Sequence, residues 1–241
     1  MKGHQVKKWT GLVLLPLGLL TVLLFSCEAD NYEKGEGEYS LMRADFVQAH
    51  VGSDKRVDYI VTDDGDSLTT EPRFTTKAIG TADTIYRAIL YYNKVKNEAG
   101  KTVAEAKGMS LVPTLLLALP EMLDPMKQDP VKFESLWTGS NGRYLNGSIV
   151  LMTGKDGEED RYQAIAMVQD SVEQHDDGTR TLCCRLYHDQ CDVPQYYSTQ
   201  RYFSIPLTHV QADSMRIEIQ TYSGKVVKTL AIRFKIKKIK D

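Results

Sequence analysis

The sequence is dominated by short runs in which side chains alternate between two faces, and this pattern restricts the fold more than any other feature. A period of two residues indicates β-strands, because successive side chains of a strand point to opposite faces. The first five runs cover 39–51, 57–61, 68–74, 84–95 and 101–112. Five strands in so short a stretch predict a small closed barrel, since closure leaves no unpaired strand edge. We therefore expect an OB-like β-barrel domain at 38–112.

The second half of the chain predicts a different all-β domain. Pro113, Pro120, Pro125 and Pro130 mark a junction, with one buried strand crossing it. Six further runs follow at 144–153, 161–172, 180–188, 200–207, 215–222 and 225–236. Acidic or Gly-bearing turns separate several of them, which is typical of hairpins. We expect an antiparallel β-sandwich at 113–241, and an all-β fold class for the chain.

The first residues have the pattern of an export signal. Lys2, Lys7 and Lys8 precede an uncharged apolar run at 11–25, as in secretory signal peptides. This run is shorter than the roughly 20 residues that span a bilayer. It ends in a Leu, a spacer, a small residue and Cys27, an order similar to the bacterial lipobox. We predict a lipoprotein signal at 1–26 and lipidation of Cys27; cleavage near Ser26 of an ordinary secreted protein is the alternative.

Residues 27–37 are polar, acidic and Gly-containing, which predicts a flexible tether between the lipid and the body. Acidic residues after the lipidated Cys also resemble the surface-export signals of Bacteroidetes lipoproteins. The predicted location is the cell envelope, as an outer-membrane lipoprotein on the periplasmic or the exposed face. The lipid makes the membrane the first predicted partner.

Charge excludes one class of partner. The chain has 30 Lys and Arg against 32 Asp and Glu, a net charge of −2. Removal of the signal takes away three lysines, so the mature chain is more acidic still. Strong phosphate binding needs concentrated positive charge. No nucleic-acid partner is therefore expected, and an unknown glycan, peptide or protein is favoured.

Motifs that would indicate an enzyme, a metal or a cofactor are missing. The sequence has no zinc-hydrolase, dinucleotide, Walker or serine-elbow spacing. Asp63, Asp64 and Asp66 could bind calcium, but they surround Gly65, and an Asp-Gly hairpin explains them more simply. No catalytic residue, metal or cofactor is predicted. A hydrolase with an unrecognised pair of carboxylates is a minor alternative.

Three cysteines and a histidine lie close together in the sequence. Cys183 and Cys184 are adjacent on a predicted strand and point to opposite faces, so either one, but not both, could pair with Cys191 across the following bend. Free buried thiols and a zinc site formed with His188 are the alternatives.

Aromatic residues are the best candidates for binding a ligand, because Tyr and Trp stack on sugars and anchor protein interfaces. Tyr91 and Tyr92 are adjacent, so one of them should face outward. The full set of candidates is Tyr91, Tyr92, Trp137, Tyr196, Tyr197 and Tyr202. Core packing is the alternative explanation for each.

Several short motifs resemble the NigD-like lipoproteins of Bacteroidetes. Besides the lipoprotein signal they are Tyr32 to Ser40, Ala44-Asp45-Phe46-Val47, Thr62-Asp63-Asp64-Gly65, Tyr86-Arg87 leading into Tyr91-Tyr92-Asn93, and Tyr144-Leu145-Asn146. The resemblance implies an OB-like domain followed by a β-sandwich. It transfers no functional residue. We expect a lipid-anchored, non-enzymatic binding module; the alternative is an immunity or inhibitor lipoprotein against an antibacterial peptide, as the family name implies.

Overall fold

Five strands at the start of the described chain close into a barrel. The structure, a computed structural model, describes residues 41–157 and 161–232. The barrel strands are β1 (Arg43–Val51), β2 (Val57–Thr62), β3 (Ser67–Phe74), β4 (Thr84–Lys96) and β5 (Thr102–Leu111). Their order is β1-β2-β3-β5-β4, and β4 pairs back onto β1. The predicted five-stranded barrel is confirmed.

Alternation along the strands builds the barrel core. Val47, Ile60, Leu90 and Tyr92 are fully buried inside it. β3 and β5 run parallel and pair at a single position, Thr70 with Ala104, which completes the closed circuit of an OB-like barrel.

The remaining strands form two sheets. They are β6 (Leu117–Ala118), β7 (Lys132–Thr138), β8 (Tyr144–Thr153), β9 (Ala164–Gln174), β10 (Arg180–Asp189), β11 (Tyr197–Pro206), β12 (Ser214–Thr221) and β13 (Gly224–Ala231). One sheet has the order β13-β12-β10-β9-β6 and the other β11-β8-β7. One apolar core joins them, with Leu145, Ile149 and Phe203 from the smaller sheet and Met167, Leu186 and Ile217 from the larger. The two sheets therefore form a sandwich.

The larger sheet differs from the expected antiparallel pairing in two places. β10 and β12 run parallel, as do β6 and β9. Between β10 and β12 the chain passes through β11, which belongs to the other sheet, so it returns in the same direction.

In the smaller sheet, β7 was not predicted as a strand. A register shift between Phe133 and Ser135 interrupts its alternation, which removes the period on which the prediction depended.

The acidic turns at 63–65 and 176–178 are hairpin loops, as predicted, but with three residues rather than two, whereas the predicted turn at 155–160 connects strands of different sheets, β8 and β9. Thr62 accepts a hydrogen bond from the Gly65 N–H and donates its own N–H to Asp66. Gly65 has a φ of 92°, the left-handed conformation that glycine adopts at low cost. The loop that ends at Gly178 repeats this geometry. A type I turn followed by a left-handed residue produces such loops.

Some predicted segments lie outside the described residues: the signal at 1–26, the lipidation site Cys27 and the tether at 27–37. Within 41–157 and 161–232, no helix is long and apolar enough to cross a membrane. The described strands all belong to one compact unit, Leu41–Asp241. The boundary predicted at residue 113 falls between β5 and β6, and the division into two domains stays a prediction.

Candidate functional site

The guanidinium of Arg87 connects the barrel to the sandwich. Arg87 lies on β4 and is only 6% exposed. It donates two hydrogen bonds to the Asp63 carboxylate, at 2.8 and 2.6 Å, one to Asn146 Oδ1 at 2.9 Å and one to Ser204 Oγ at 3.0 Å. Asn146 Nδ2 in turn donates to Asp63 Oδ2 at 2.7 Å. The buried charge is therefore paired, and four of the five N–H groups of the guanidinium donate hydrogen bonds.

Aromatic rings enclose this arginine. Its Cζ lies 4.0 Å from the centre of the Tyr144 ring and 5.3 Å from that of Phe46, within cation–π range. Phe46 also meets Trp137 and Tyr202 edge to face, with ring centres 5.3 and 5.7 Å apart. We call Arg87, Asp63, Asn146, Ser204 and these rings the junction.

The junction shows what the resembling motifs do. Phe46, Asp63 and Arg87 come from three of the short motifs quoted above, Tyr144 and Asn146 both come from a fourth, and all five residues meet here. They hold the barrel against the sandwich. The other two acidic residues of the β2–β3 turn also have protein partners: Asp64 accepts a hydrogen bond from Ser140, and Asp66 pairs with Lys94. Within the described residues no cluster of metal-ligating side chains is present.

A cleft of about 650 Å³ lies beside the junction, within the size range of small-ligand sites. Its apolar floor includes Ile89, Leu151 and Phe203, all nearly buried. Its sides are the outer face of β4 and β5, residues 199–203 of β11, and residues 161–165, which lead into β9.

The polar lining of the cleft carries positive charge. Among the described lining residues, Arg161 and Arg201 are charged and no carboxylate is present. Three tyrosines, Tyr91, Tyr162 and Tyr202, also line it. These groups can stack on a ligand, donate hydrogen bonds and attract an anionic group.

The cleft contains two of the predicted aromatic residues, Tyr91 and Tyr202. Tyr92 points the other way, as adjacent residues on a strand must. It is fully buried, and its hydroxyl donates to Asp45 at 2.8 Å. Burial, together with this hydrogen bond, raises the pKa of Tyr92 well above its usual value.

The other three predicted aromatics lie outside the cleft lining. Trp137 packs against Phe46 in the junction. Tyr196 and Tyr197 are exposed, at 67% and 57%, where the chain enters β11. The ring of Tyr196 lies over Gly154, so closely that a Cβ there would come within 2.8 Å of it. Ligand binding by all six aromatics stays a prediction.

Sequence reasoning missed three lining residues: Arg161, Tyr162 and Arg201. The first two were assigned to a strand, but β9 begins at Ala164 and leaves them in the preceding loop. Tyr162 is 77% exposed there. No local pattern distinguishes these residues, because the cleft forms only when strands distant in the sequence come together.

The predicted disulfide is absent, since Cys183, Cys184 and Cys191 are all free. The prediction assumed that the bend after the strand at 180–188 would bring Cys191 back to it, but β10 runs extended as far as Asp189. At about 3.3 Å per residue, this extended run separates the Cα atoms far beyond the roughly 4.4–6.8 Å that a disulfide permits. Cys183 and Cys184 are buried and Cys191 is exposed, so two of the three cysteines are part of the packed interior.

The alternative zinc site is not formed either. Both ring nitrogens of His188 are within 2.9 Å of other partners, the Asp129 carbonyl oxygen and Gln163 Oε1. Burial raises the pKa of the Cys184 thiol to about 12. The thiolate that zinc binds is therefore disfavoured at this position.

Comparison with solved structures identifies proteins of the same fold. A toxin-related protein from Parabacteroides distasonis matches with a TM-score of 0.60 and 18% identity, over 78% of this chain and 92% of the other. A NigD-like immunity protein from Bacteroides caccae matches with a TM-score of 0.57 and 21% identity, over 77% and 91%. A protein assigned as a lipoprotein from Bacteroides fragilis matches with a TM-score of 0.54 and 10% identity, over 82% and 100%.

Neither family models nor curated protein sequences match the chain. The structural match to a NigD-like immunity protein nevertheless confirms, at the level of the fold, the resemblance that was inferred from the motifs. None of the three names is that of an enzyme.

Proposed function

We propose that this chain is a lipid-anchored binding protein of the bacterial cell envelope, which captures a peptide or protein segment in the cleft between barrel and sandwich. The observation that carries the proposal is the lining of the cleft: three tyrosines and two arginines above an apolar floor. Such a lining provides affinity from buried apolar area and orientation from a few polar groups.

The anchor is part of the same proposal. Acylation of Cys27 places the body on a membrane through several lipid chains, each contributing about 0.8 kcal/mol per buried methylene. Replacing Cys27 by Ser removes the thiol that is acylated. The Cys27→Ser protein should leave the membrane fraction, whereas the parent chain and a Cys191→Ser control should stay in it.

Photo-crosslinking in the native host tests the cleft. A photoreactive phenylalanine at position 162, on the exposed rim, should give discrete adducts after irradiation of intact cells. The control position is Tyr222, which is 53% exposed and is not part of the lining. Adducts from position 162 alone support the proposal. No adduct from position 162, or the same adducts from both positions, overturns it.

The ligand class is the next question. Tyr and Arg also bind sugars, so a glycan is the competing occupant. A glycan array probed with the protein, and with a Tyr91→Ala and Tyr162→Ala double variant, separates the two. Glycan binding that depends on these tyrosines would replace the peptide assignment.

An immunity role is a second candidate, favoured by the shared fold with a NigD-like immunity protein and a toxin-related protein. In that case the captured segment belongs to an antibacterial peptide. A deletion strain should then become sensitive to the peptide made by its siblings. The intact chain should restore resistance, and the Cys27→Ser form should not.

A further inference from the structure

The edge of β11 that faces the cleft is open for part of its length. β11 pairs along one side with β8, from Tyr197 to Pro206. On the other side its partner within the described residues is the segment around Thr114, at Ser204. The Ser204 N–H donates to the Pro113 carbonyl at 2.9 Å, and its carbonyl accepts from the Leu115 N–H at 2.8 Å.

The position of Ser204 fixes which backbone groups face the cleft. In an antiparallel ladder, the N–H and C=O of alternate residues point to the same side. Because the backbone N–H and C=O of Ser204 point away from β8, the backbone N–H and C=O of Tyr202 and Gln200 must also point away from it. Their N–H and C=O groups have no partner strand within the described residues, and both residues line the cleft.

The segment 113–118 shows how this edge is covered elsewhere. It pairs with β11 at Ser204 and then with β9 at Met167 and Val168. It therefore closes the gap between the two sheets at one end. At the other end, residues 199–202 and 161–165 border the same gap, no strand of the described chain lies between them, and this is the cleft.

The charge of the cleft indicates which kind of extended chain could pair with the open edge of β11. Arg161 and Arg201 line the gap, and no carboxylate is present among the described lining residues. The Arg161 side chain reaches the Asp192 carbonyl at 3.3 Å. Arg201 has no side-chain hydrogen bond or ion pair within the described part of the chain. An arginine in this position is suited to a carboxylate supplied by a ligand.

From these observations we infer that β11 binds an extended acidic peptide segment by strand addition. The segment pairs its backbone with Gln200 and Tyr202, and its carboxylates lie beside Arg201 and Arg161. Backbone pairing supplies affinity and alternate side chains supply selectivity, as in other complexes of this kind. The inference rests on the proposed binding function and specifies its ligand and its mode.

The test uses the full-length lipidated protein in detergent and two synthetic octapeptides, one alternating Val and Glu and one alternating Val and Lys. The Glu peptide should bind at least about tenfold more tightly than the Lys peptide. Arg201→Glu should reverse this order. On binding, amide hydrogen exchange should slow at residues 198–202.

A matched pair of variants isolates the backbone contact. Gln200→Pro removes the N–H that faces the cleft and leaves the ladder to β8 intact, since Pro is tolerated on the open side of an edge strand. Gln200→Ala keeps that N–H but, like Pro, loses the side-chain hydrogen bond to Ser148. The Pro variant should bind the Glu peptide roughly three- to tenfold more weakly than the Ala variant.

Each outcome decides the inference. Equal affinity of the Pro and Ala variants, or unchanged exchange at residues 198–202 in the peptide-bound parent protein, overturns strand addition. The exchange measurement does so even where the Pro variant fails to fold. No binding of the Glu peptide at millimolar concentration also overturns it. The proposed function fails separately, on the absence of adducts at position 162.

Discussion

The junction and the cleft both lie between barrel and sandwich, and both are built from arginine and aromatic side chains. They differ in whether the charge of the arginine is paired within the protein. Arg87 in the junction is buried, paired with Asp63 and surrounded by acceptors from both halves. Arg201 in the cleft is exposed and has no such partner within the described residues. A satisfied charge holds the structure together, and an unsatisfied one is available to a ligand.

The largest expected effect on stability comes from a substitution that breaks the junction. Arg87→Met leaves the Asp63 carboxylate, whose side chain is 13% exposed, without its counter-charge. The free energy of unfolding in urea should fall by about 3–5 kcal/mol. The control is Arg185→Met, which removes a partly exposed bidentate pair with Asp170 and should cost about 1 kcal/mol or less. Equal losses would contradict the structural role of Arg87.

A smaller effect on stability should distinguish the two adjacent tyrosines, Tyr91 and Tyr92. Tyr92→Phe removes the hydroxyl that donates to Asp45 inside the barrel and should cost about 1–2 kcal/mol of unfolding free energy. Tyr91→Phe, on the cleft side, should stay within about 0.5 kcal/mol of the parent. Because burial raises the pKa of Tyr92, an ultraviolet pH titration should lose its highest-pH phenolate step in Tyr92→Phe alone. Loss of the same step in Tyr91→Phe would reverse the assignment.

The cleft arginine should matter little for stability. Arg201→Ala should leave the free energy of unfolding within about 0.5 kcal/mol of the parent, because no intramolecular partner is lost in the described structure. Urea unfolding measures this directly. A loss as large as that of Arg87→Met would mean that the charge of Arg201 is structural.

The smallest effect is a pH dependence that reports on the contact between the two halves. Burial, and then the nearby Arg143, lower the pKa of His50 on β1. The folded state disfavours the charged imidazole. The contribution of His50 to the free energy of unfolding is therefore fully present above the unfolded pKa of about 6.5, and it is lost as the pH drops through the folded pKa. His50→Gln should remove that part of the pH dependence.

The same histidine tests the junction. Arg143 belongs to the β7–β8 loop of the sandwich, and it reaches the barrel through a 2.7 Å hydrogen bond to Gln48. If Arg87→Met separates the halves, the His50 pKa should rise in an NMR titration. An unchanged pKa would mean that the halves stay in contact without Arg87.

The barrel was predictable from the sequence because its information is local. The run at 84–95 is rich in the β-branched and aromatic residues that strands favour, and β4 covers Thr84–Lys96. The same locality limited the prediction of sites. Arg87 and Asn146 were noticed as parts of motifs, but their 2.9 Å hydrogen bond joins residues 59 positions apart, and no period or spacing encodes it.

Where the strands deviate from a simple ladder, the prediction failed. The bulge in β7 concealed a strand, and the passage of β11 into the second sheet made β10 and β12 parallel. The strand at 180–188 was predicted almost to its end, but the extended run of β10 from Cys184 to Asp189 keeps Cys191 away from Cys184. Arg161 and Tyr162 entered the candidate site only because the start of β9 lies later than the alternation implied.

The open edge of β11 has a consequence for solubility. An unpaired strand edge is a template on which further copies of a protein can pair and grow into fibres. Here the open groups of Gln200 and Tyr202 lie inside a cleft bordered by Tyr91 and Tyr162. A second copy must therefore reach into the cleft to pair with this edge, which hinders the edge-to-edge growth that an unpaired strand on an open face permits.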